Sequence, residues 1–514
     1  MEEKESYSSM RITRNRPDIL RNYIPKSSDD PPAIAQLLEF SVKRKRHTFI
    51  HLIREIKDGF HNGQMEKIEK CTDELRKMIT EDPRLALFLD VEFLELLVEL
   101  LKCEQYSNLQ VHAATIFEPV VTFFLCRKDV KDLAVIIERI IPIVSRLICF
   151  GVYLVQVKAL WLLRSLVPVI SKYEVEEILS PVASLIIEDS TSFNVLHAAS
   201  ETLLVACEKH PKISPEKLKL ALPALMKLIE SNILMLLTSG SWGLAFLCDG
   251  RGEMIVEDKY LECLITRLVD VMNDEERVMI LSALHAMGSV VKWGSDDVIE
   301  IIIKEDGALL ILLVLLEEDD LYIVKQTCWI LSNITARKEK HIRAIIDGVP
   351  EGKLIDPLVK IMLNCNLNDV RKEAAWAISN AMCGVGIDQI ECLRNSCSNI
   401  IWADLLNSFS SDRLFVLVTL EGLLNIRVAE VTWKGNPVDA VTLHSFFESI
   451  VEGIDRRDSF IVPEFVNESD GWTVSGHSLF PEFLMSDDYA LNFKFEDQRC
   501  SNMFIDYNGS MKFC

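Results

Sequence analysis

The 514-residue sequence predicts an all-α fold, a solenoid of stacked helical units with a polar basic arm before it and an aromatic tail after it. Three observations carry that prediction. Gly (20) and Pro (17) are sparse while hydrophobic residues reach 49 %, a composition suited to long buried helices. Similar helices, several marked by tryptophan, recur at intervals of 40–47 residues. The charge is also divided: residues 1–54 hold 11 Lys or Arg against 7 Asp or Glu, and the other 460 hold 44 against 70. A net charge of −22 therefore resolves into a +4 arm and a −26 body.

From the N-terminus, MEEKESYSSM is charged and polar and offers no secretory apolar region. Residues 1–54 form the arm, expected to be disordered until Ala33 because Ser27-Ser28-Asp29-Asp30-Pro31-Pro32 cannot hold a helix. Ala33 to Phe60 has helical periodicity and leads into an array spanning 55–454. Within it, LLVLLEEDDLYIVKQTCWILSNITA from Leu312 aligns with LVKIMLNCNLNDVRKEAAWAISNAMCG from Leu358. Each has an apolar helix, a polar turn and a second helix ending in Trp-x-x-Ser-Asn. Trp329 and Trp376 lie 47 apart. Stepping back lands on comparable helices at His285, Trp242, Glu201, Trp161 and Thr115; stepping forward lands on Glu421. That period, with two or three helices per unit, is the armadillo/HEAT signature. Ser231 to Cys248 is uncharged, but its interior polar and glycine residues favour a buried helix pair over a membrane span. DGRGE at Asp249–Glu253 is expected to be a turn between repeats. The tail, 455–514, carries 11 aromatics and reads as non-armadillo, with Asn508-Gly509 between two alternating runs predicting a short hairpin.

In a solenoid the last helix of each unit lines a groove. Trp329 and Asn333, like Trp376 and Asn380, stand four residues apart on one helix face. Indoles form slots for the apolar stem of Lys or Arg and attract its charged head. An Asn amide can bind both backbone groups of an extended peptide. Glu373, one turn before Trp376, supplies a counter-charge. Over an acidic body this predicts a groove for extended basic peptides. A −22 chain repels phosphate backbones, so nucleic acid is not expected as a partner, nor is a membrane.

QTCWILSNITA around Trp329, KEAAWAISNAMCG around Trp376 and LEGLLNI after Leu420 resemble the later repeats of importin alpha, the adaptor that reads nuclear localisation signals. ALHAMGSVV, SWGLAFLCDG and LPALMKLIESN are similar to its middle repeats in order. The resemblance covers about residues 10–450. It implies a right-handed superhelix of about ten armadillo repeats, a major signal site in the early repeats, a minor one in the later repeats, and an N-terminal importin-beta-binding segment. Trp329, Asn333, Glu373, Trp376 and Asn380 match the minor site. His285 and Ser289 stand where the family has Arg and Asn, and Phe246, beside the matching Trp242, replaces a Tyr. The major site is depleted, and only weak or residual binding is expected at Trp161, Ser165, Trp242 and Phe246. Trp161 remains, but its Asn partner is Ser165, and the other Trp positions hold Thr115 and Glu201, with Pro119 and Val205 for their Asn partners. Loss of those backbone bonds at ~1 kcal/mol each weakens the early site, and Pro119 is expected to perturb its helix, although Glu201 still offers a carboxylate to Lys.

TRNRPD, with Arg14 and Arg16, and AQLLEFSVKRKRH, with Lys43, Arg44, Lys45 and Arg46, resemble the two ends of the importin-beta-binding segment. The Arg-rich middle is absent. The basic cluster reads either as a solvated patch or as a signal mimic that occupies the groove. No phosphate loop, zinc-protease or nucleophile-elbow motif is present, and Cys392 and Cys397 lack partners for zinc. No enzyme activity, cofactor or metal is therefore expected, and the thiols are expected to be free in a reducing compartment. The expectation is a nuclear-import adaptor moving between cytoplasm and nucleus, binding basic cargo signals mainly at the later repeats and linking them to importin beta. The alternative is an armadillo scaffold or regulator without transport activity. A third class, an armadillo ubiquitin ligase, lacks any U-box or RING segment.

Overall fold

The computed structural model describes residues 32–125, 131–255 and 261–384, isolated positions between 389 and 426, and short strands between 464 and 513. The chain divides into two units, Met1–Ile143 and Val144–Cys514. In the first, α1 (Pro32–His61) starts at the second residue of the Pro-Pro step, where a fixed φ and a missing N–H suit the first helical turn. It packs on α2 (Met65–Glu81), which packs on α4 (Ser107–Leu125), as does α3 (Val91–Leu101). The α2 stripe of Ile68, Thr72, Leu75 and Ile79 recurs at three and four residues and is fully buried, as an amphipathic helix requires. Asp90 caps α3 by accepting from the Phe93 amide at 2.8 Å. Helix α4 runs unbroken through Pro119, which deprives only the Thr115 carbonyl of its helical donor. Helix α5 (Lys131–Phe150) straddles the division between units.

The second unit repeats one arrangement. Helices α6 (Tyr153–Leu166), α8 (Phe193–Lys209), α10 (Leu234–Ile255), α12 (Arg277–Trp293), α15 (Leu321–Thr335) and α18 (Asn368–Gly384) pack each on the next. We refer to them as the inner helices. Between them lie α7 (Lys172–Ile187), α9 (Pro215–Glu230), α11 (Leu261–Met272), α13 (Asp296–Lys304), α14 (Ala308–Leu315), α16 (Glu339–Asp347) and α17 (Ile355–Asn364). The core is a column of Leu, Ile, Val and Ala side chains: Leu163, Leu203, Leu244, Leu284, Leu331 and Ile378 are all fully buried. The 40-residue period reappears in polar ties between neighbouring units. Thr202 Oγ1 donates to the Leu160 carbonyl at 3.1 Å, and Lys325 pairs with Asp369 at 3.2 Å. Arg277 pairs with Asp320, and Arg337 donates to the carbonyls of Val291 and Lys292 at 3.1 Å each. All-α armadillo stacking is thus the fold of the described array.

Two local expectations are corrected. Ser231–Cys248 is not a helix pair: α9 ends at Glu230 and a single helix, α10, runs on from Leu234. Its glycines admit a close neighbour instead of breaking it. A Cβ on Gly240 would lie 2.8 Å from Leu228 Cβ, and one on Gly243 would lie 2.7 Å from Leu225 Cδ2. DGRGE is likewise not a turn, because Asp249–Glu253 continues α10. No helix among the described residues is long and apolar enough to cross a membrane. In the tail, β1 (Glu464–Glu468), β2 (Gly471–Ser475) and β3 (Leu491–Phe493) form one antiparallel sheet, and β4 (Phe495–Glu496) pairs with β5 (Arg499–Cys500). Strands β6 (Met503–Ile505) and β7 (Met511–Phe513) pair antiparallel, with Met503 opposite Phe513. The expected hairpin is therefore present, with Asn508-Gly509 outside the described residues.

Candidate functional site on the inner helices

The marker residues occupy equivalent places on successive inner helices because each lies eight residues from its helix start: Trp161 on α6, Glu201 on α8, Trp242 on α10, His285 on α12, Trp329 on α15 and Trp376 on α18. Trp161, Trp242, Trp329 and Trp376 are all half-buried, so each packs on the stack and shows part of its ring. Trp329 is seated on α12: a Cβ at Gly288 would stand 2.0 Å from Trp329 Cζ3 and 2.5 Å from Cε3. The absent side chain is what admits the indole. Asn333 donates from Nδ2 to the Trp329 carbonyl at 2.9 Å, and Asn380 donates from Nδ2 across to the Ser332 carbonyl of α15 at 2.9 Å. Each such bond uses one of the several valences a carboxamide offers. Trp376 meets Phe415 edge to face at 5.6 Å. Glu373 is half-buried, and its charge, after burial itself, helps push the Cys328 thiol of α15 well above its ordinary value. The carboxylate therefore sits close to the seam between α15 and α18.

The middle of the surface is a cluster of tilted rings. Trp242 lies 4.4 Å from His285 and 6.2 Å from Phe246, and His285 lies 6.3 Å from Tyr322. His285 is only 4 % exposed and Ser289 is buried, so the two positions that depart from the family pattern pack into the seam. The early region differs again. Ser165 donates to the Trp161 carbonyl at 3.3 Å, which turns its hydroxyl onto its own helix. Glu201 does not stand open to a peptide lysine: Arg164 reaches it at 3.4 Å and Ser239 donates to it at 3.1 Å. In the first unit the Thr115 hydroxyl donates to Val111 at 2.8 Å. Thus the structure groups Trp329, Asn333, Glu373, Trp376 and Asn380 on two adjoining inner helices and Trp242 with Phe246 on α10, while Trp161 and Ser165 stand on α6. Sequence reasoning missed Gly288 and Arg164. HAMGSV and WLLRSL hold both in plain view, but only a neighbouring helix gives them meaning.

Arg14 and Arg16 lie outside the described residues, and Lys43 and Arg44 fall on α1 with only their backbone described. Lys45 pairs with Glu81 at 3.7 Å and the Arg46 guanidinium carbon lies 4.6 Å over the Phe88 ring. This end of the basic cluster rests on the first unit itself.

A match to the Armadillo/beta-catenin-like repeat family covers residues 295–336, which enclose helices α13, α14 and α15, one complete three-helix unit. The crystal structure of an engineered protein superposes with a TM-score of 0.59 at 20 % identity, covering 79 % of this chain and 98 % of that one. Residues 295–336 thus carry an armadillo repeat within an all-α stack of the armadillo kind. Importin subunit alpha-1a of Oryza sativa subsp. japonica is 30 % identical over 171 residues, and importin subunit alpha-8 of Arabidopsis thaliana is 24 % identical over 372. Those alignments cover 33 % and 70 % of this chain, and 32 % and 78 % of the respective subunits. This chain is thus similar to importin alpha subunits, at low identity. It spans about a third of the rice subunit's length.

Proposed function

We propose that the protein is a nuclear-import adaptor that holds the basic localisation signals of cargo proteins on its later inner helices. The observation that carries this reading is the pair of half-buried indoles, Trp329 and Trp376, each followed at four residues by an asparagine, on adjoining helices α15 and α18. Partly shown indoles flank a slot for a Lys or Arg stem, the amides retain valences for peptide backbone, and Glu373 adds negative charge at the seam. In this reading the protein moves between cytoplasm and nucleus, and its arm joins the cargo complex to importin beta.

Titrating a basic signal peptide into the full chain tests it. Trp329→Ala/Trp376→Ala should lower affinity about thirtyfold, because two cation–π contacts at ~1 kcal/mol each are lost. Trp161→Ala should change it little. A larger loss from Trp161→Ala overturns the assignment to the later repeats. A second reading, a scaffold or regulator without transport activity, is favoured by one observation: Lys45 and Arg46, part of the cluster that would meet importin beta, are engaged by Glu81 and Phe88. A pull-down with importin beta separates the two, since capture of a signal peptide together with importin beta belongs only to the adaptor.

A further inference from the structure

We propose that Arg164 is a built-in occupant of the early slot, a side chain of the protein itself standing where a Lys or Arg of a bound peptide would stand, and that it restricts basic peptides to the later repeats. This rests on the reading of the inner helices as a basic-peptide surface. Arg164 follows Trp161 by three residues on α6, so both lie on one face of the helix. Its guanidinium carbon is 5.6 Å from the Trp161 ring centroid, and Nη2 is 3.4 Å from Glu201 Oε2 on α8. The second Glu201 oxygen accepts from Ser239 of α10 at 3.1 Å, and Ser239 itself is 2 % exposed. One cation thus makes both contacts that a groove offers a basic side chain, an indole and a carboxylate. The His197 ring also stands edge-on to Trp161 at 5.7 Å, with Phe193 stacked on His197 at 6.1 Å.

The burial of the pair fits this role. The Glu201 side chain is 14 % exposed and that of Arg164 is 30 %, so the carboxylate is covered enough to require a partner, while the arginine closes the slot from its rim. An incoming lysine would have to displace a cation already tethered to the same helix as the indole. Glu201, which stands where the family pattern has a Trp, is therefore part of one internal assembly with Arg164.

The test uses a fluorescein-labelled Lys/Arg oligopeptide and the full chain, in both the wild-type and the Trp329→Ala/Trp376→Ala backgrounds. Arg164→Ala should tighten binding about tenfold in the double-variant background by freeing an indole and a carboxylate, and adding Trp161→Ala should abolish that gain. Arg164→Gln keeps a donor for Glu201 without the charge and should give the same direction if Arg164→Ala does not fold. Folded Arg164 variants that bind no tighter overturn the proposal, as does a gain that survives Trp161→Ala. Unfolding of both variants assigns Arg164 to stability alone and also overturns it. The underlying reading fails separately, if the wild-type chain loses no affinity on Trp329→Ala/Trp376→Ala.

Discussion

Gly288 shows how much of the surface rests on one missing side chain. The Trp329 indole lies where a Cβ of residue 288 would be, and an indole is too rigid to yield by tenths of an ångström. Gly288→Ala should therefore expel the ring and cost about 1–3 kcal/mol, the range for overpacking a fitted site. The check is a denaturant melt paired with tryptophan emission. Unchanged emission with unchanged stability would contradict the seating. The Trp and Asn positions were legible in the sequence because spacing of four places side chains on one helix face whatever the tertiary structure. Gly288 and Arg164 were not legible, because their partners lie on neighbouring helices some 40 residues away. Glu201 was misread as an open carboxylate for that reason.

At the scale of elements, the repeat was readable because the inner helices share one marker phase, and the helix at each step from Thr115 to Trp376 is where the spacing placed it, the step at Glu421 lying outside the described residues. Boundaries were less so. Gly240 read as a break, whereas in α10 it is a contact with α9. Gly240→Val should accordingly overpack Leu228 and Ile229 and lower stability by about 1–3 kcal/mol, with helix content retained in the folded state, as circular dichroism would report. The junction of α13 and α16 makes a second prediction. His341 is 1 % exposed, neither ring nitrogen has a hydrogen-bond partner, and burial lowers its proton affinity. Glu300, bonded by Lys340 and Lys304, is held below the usual carboxylate range. Both groups bind protons less readily folded than unfolded, so acid favours unfolding. For the histidine the loss begins as pH falls through about 6.5, and for the glutamate it follows near 4.5. His341→Leu should flatten the stability curve between pH 7 and 5, and an unchanged slope in urea melts would reject the assignment.

For the whole molecule, local pairing and overall charge have different consequences. Arg164–Glu201, Arg277–Asp320, Lys340–Glu300 and Lys325–Asp369 each cancel within the stack. Such pairs still cannot neutralise the body, where 70 acidic side chains face 44 basic ones. The unpaired excess produces a field that reaches beyond any single slot and draws a cationic peptide toward the protein before a contact forms. In the proposed reading, slots act after arrival, by holding stems and heads at short range. The two contributions separate by salt. Raising ionic strength from ~0.1 M to ~1 M shortens the screening length from about 10 Å to about 3 Å. Association of a basic peptide should then slow by an order of magnitude or more, while dissociation changes little, because a stem between two indoles is screened less than a charge in transit. Stopped-flow mixing at several salt concentrations measures both rates. A response confined to dissociation would mean that the acidic excess faces away from the peptide, and that the slots alone select it.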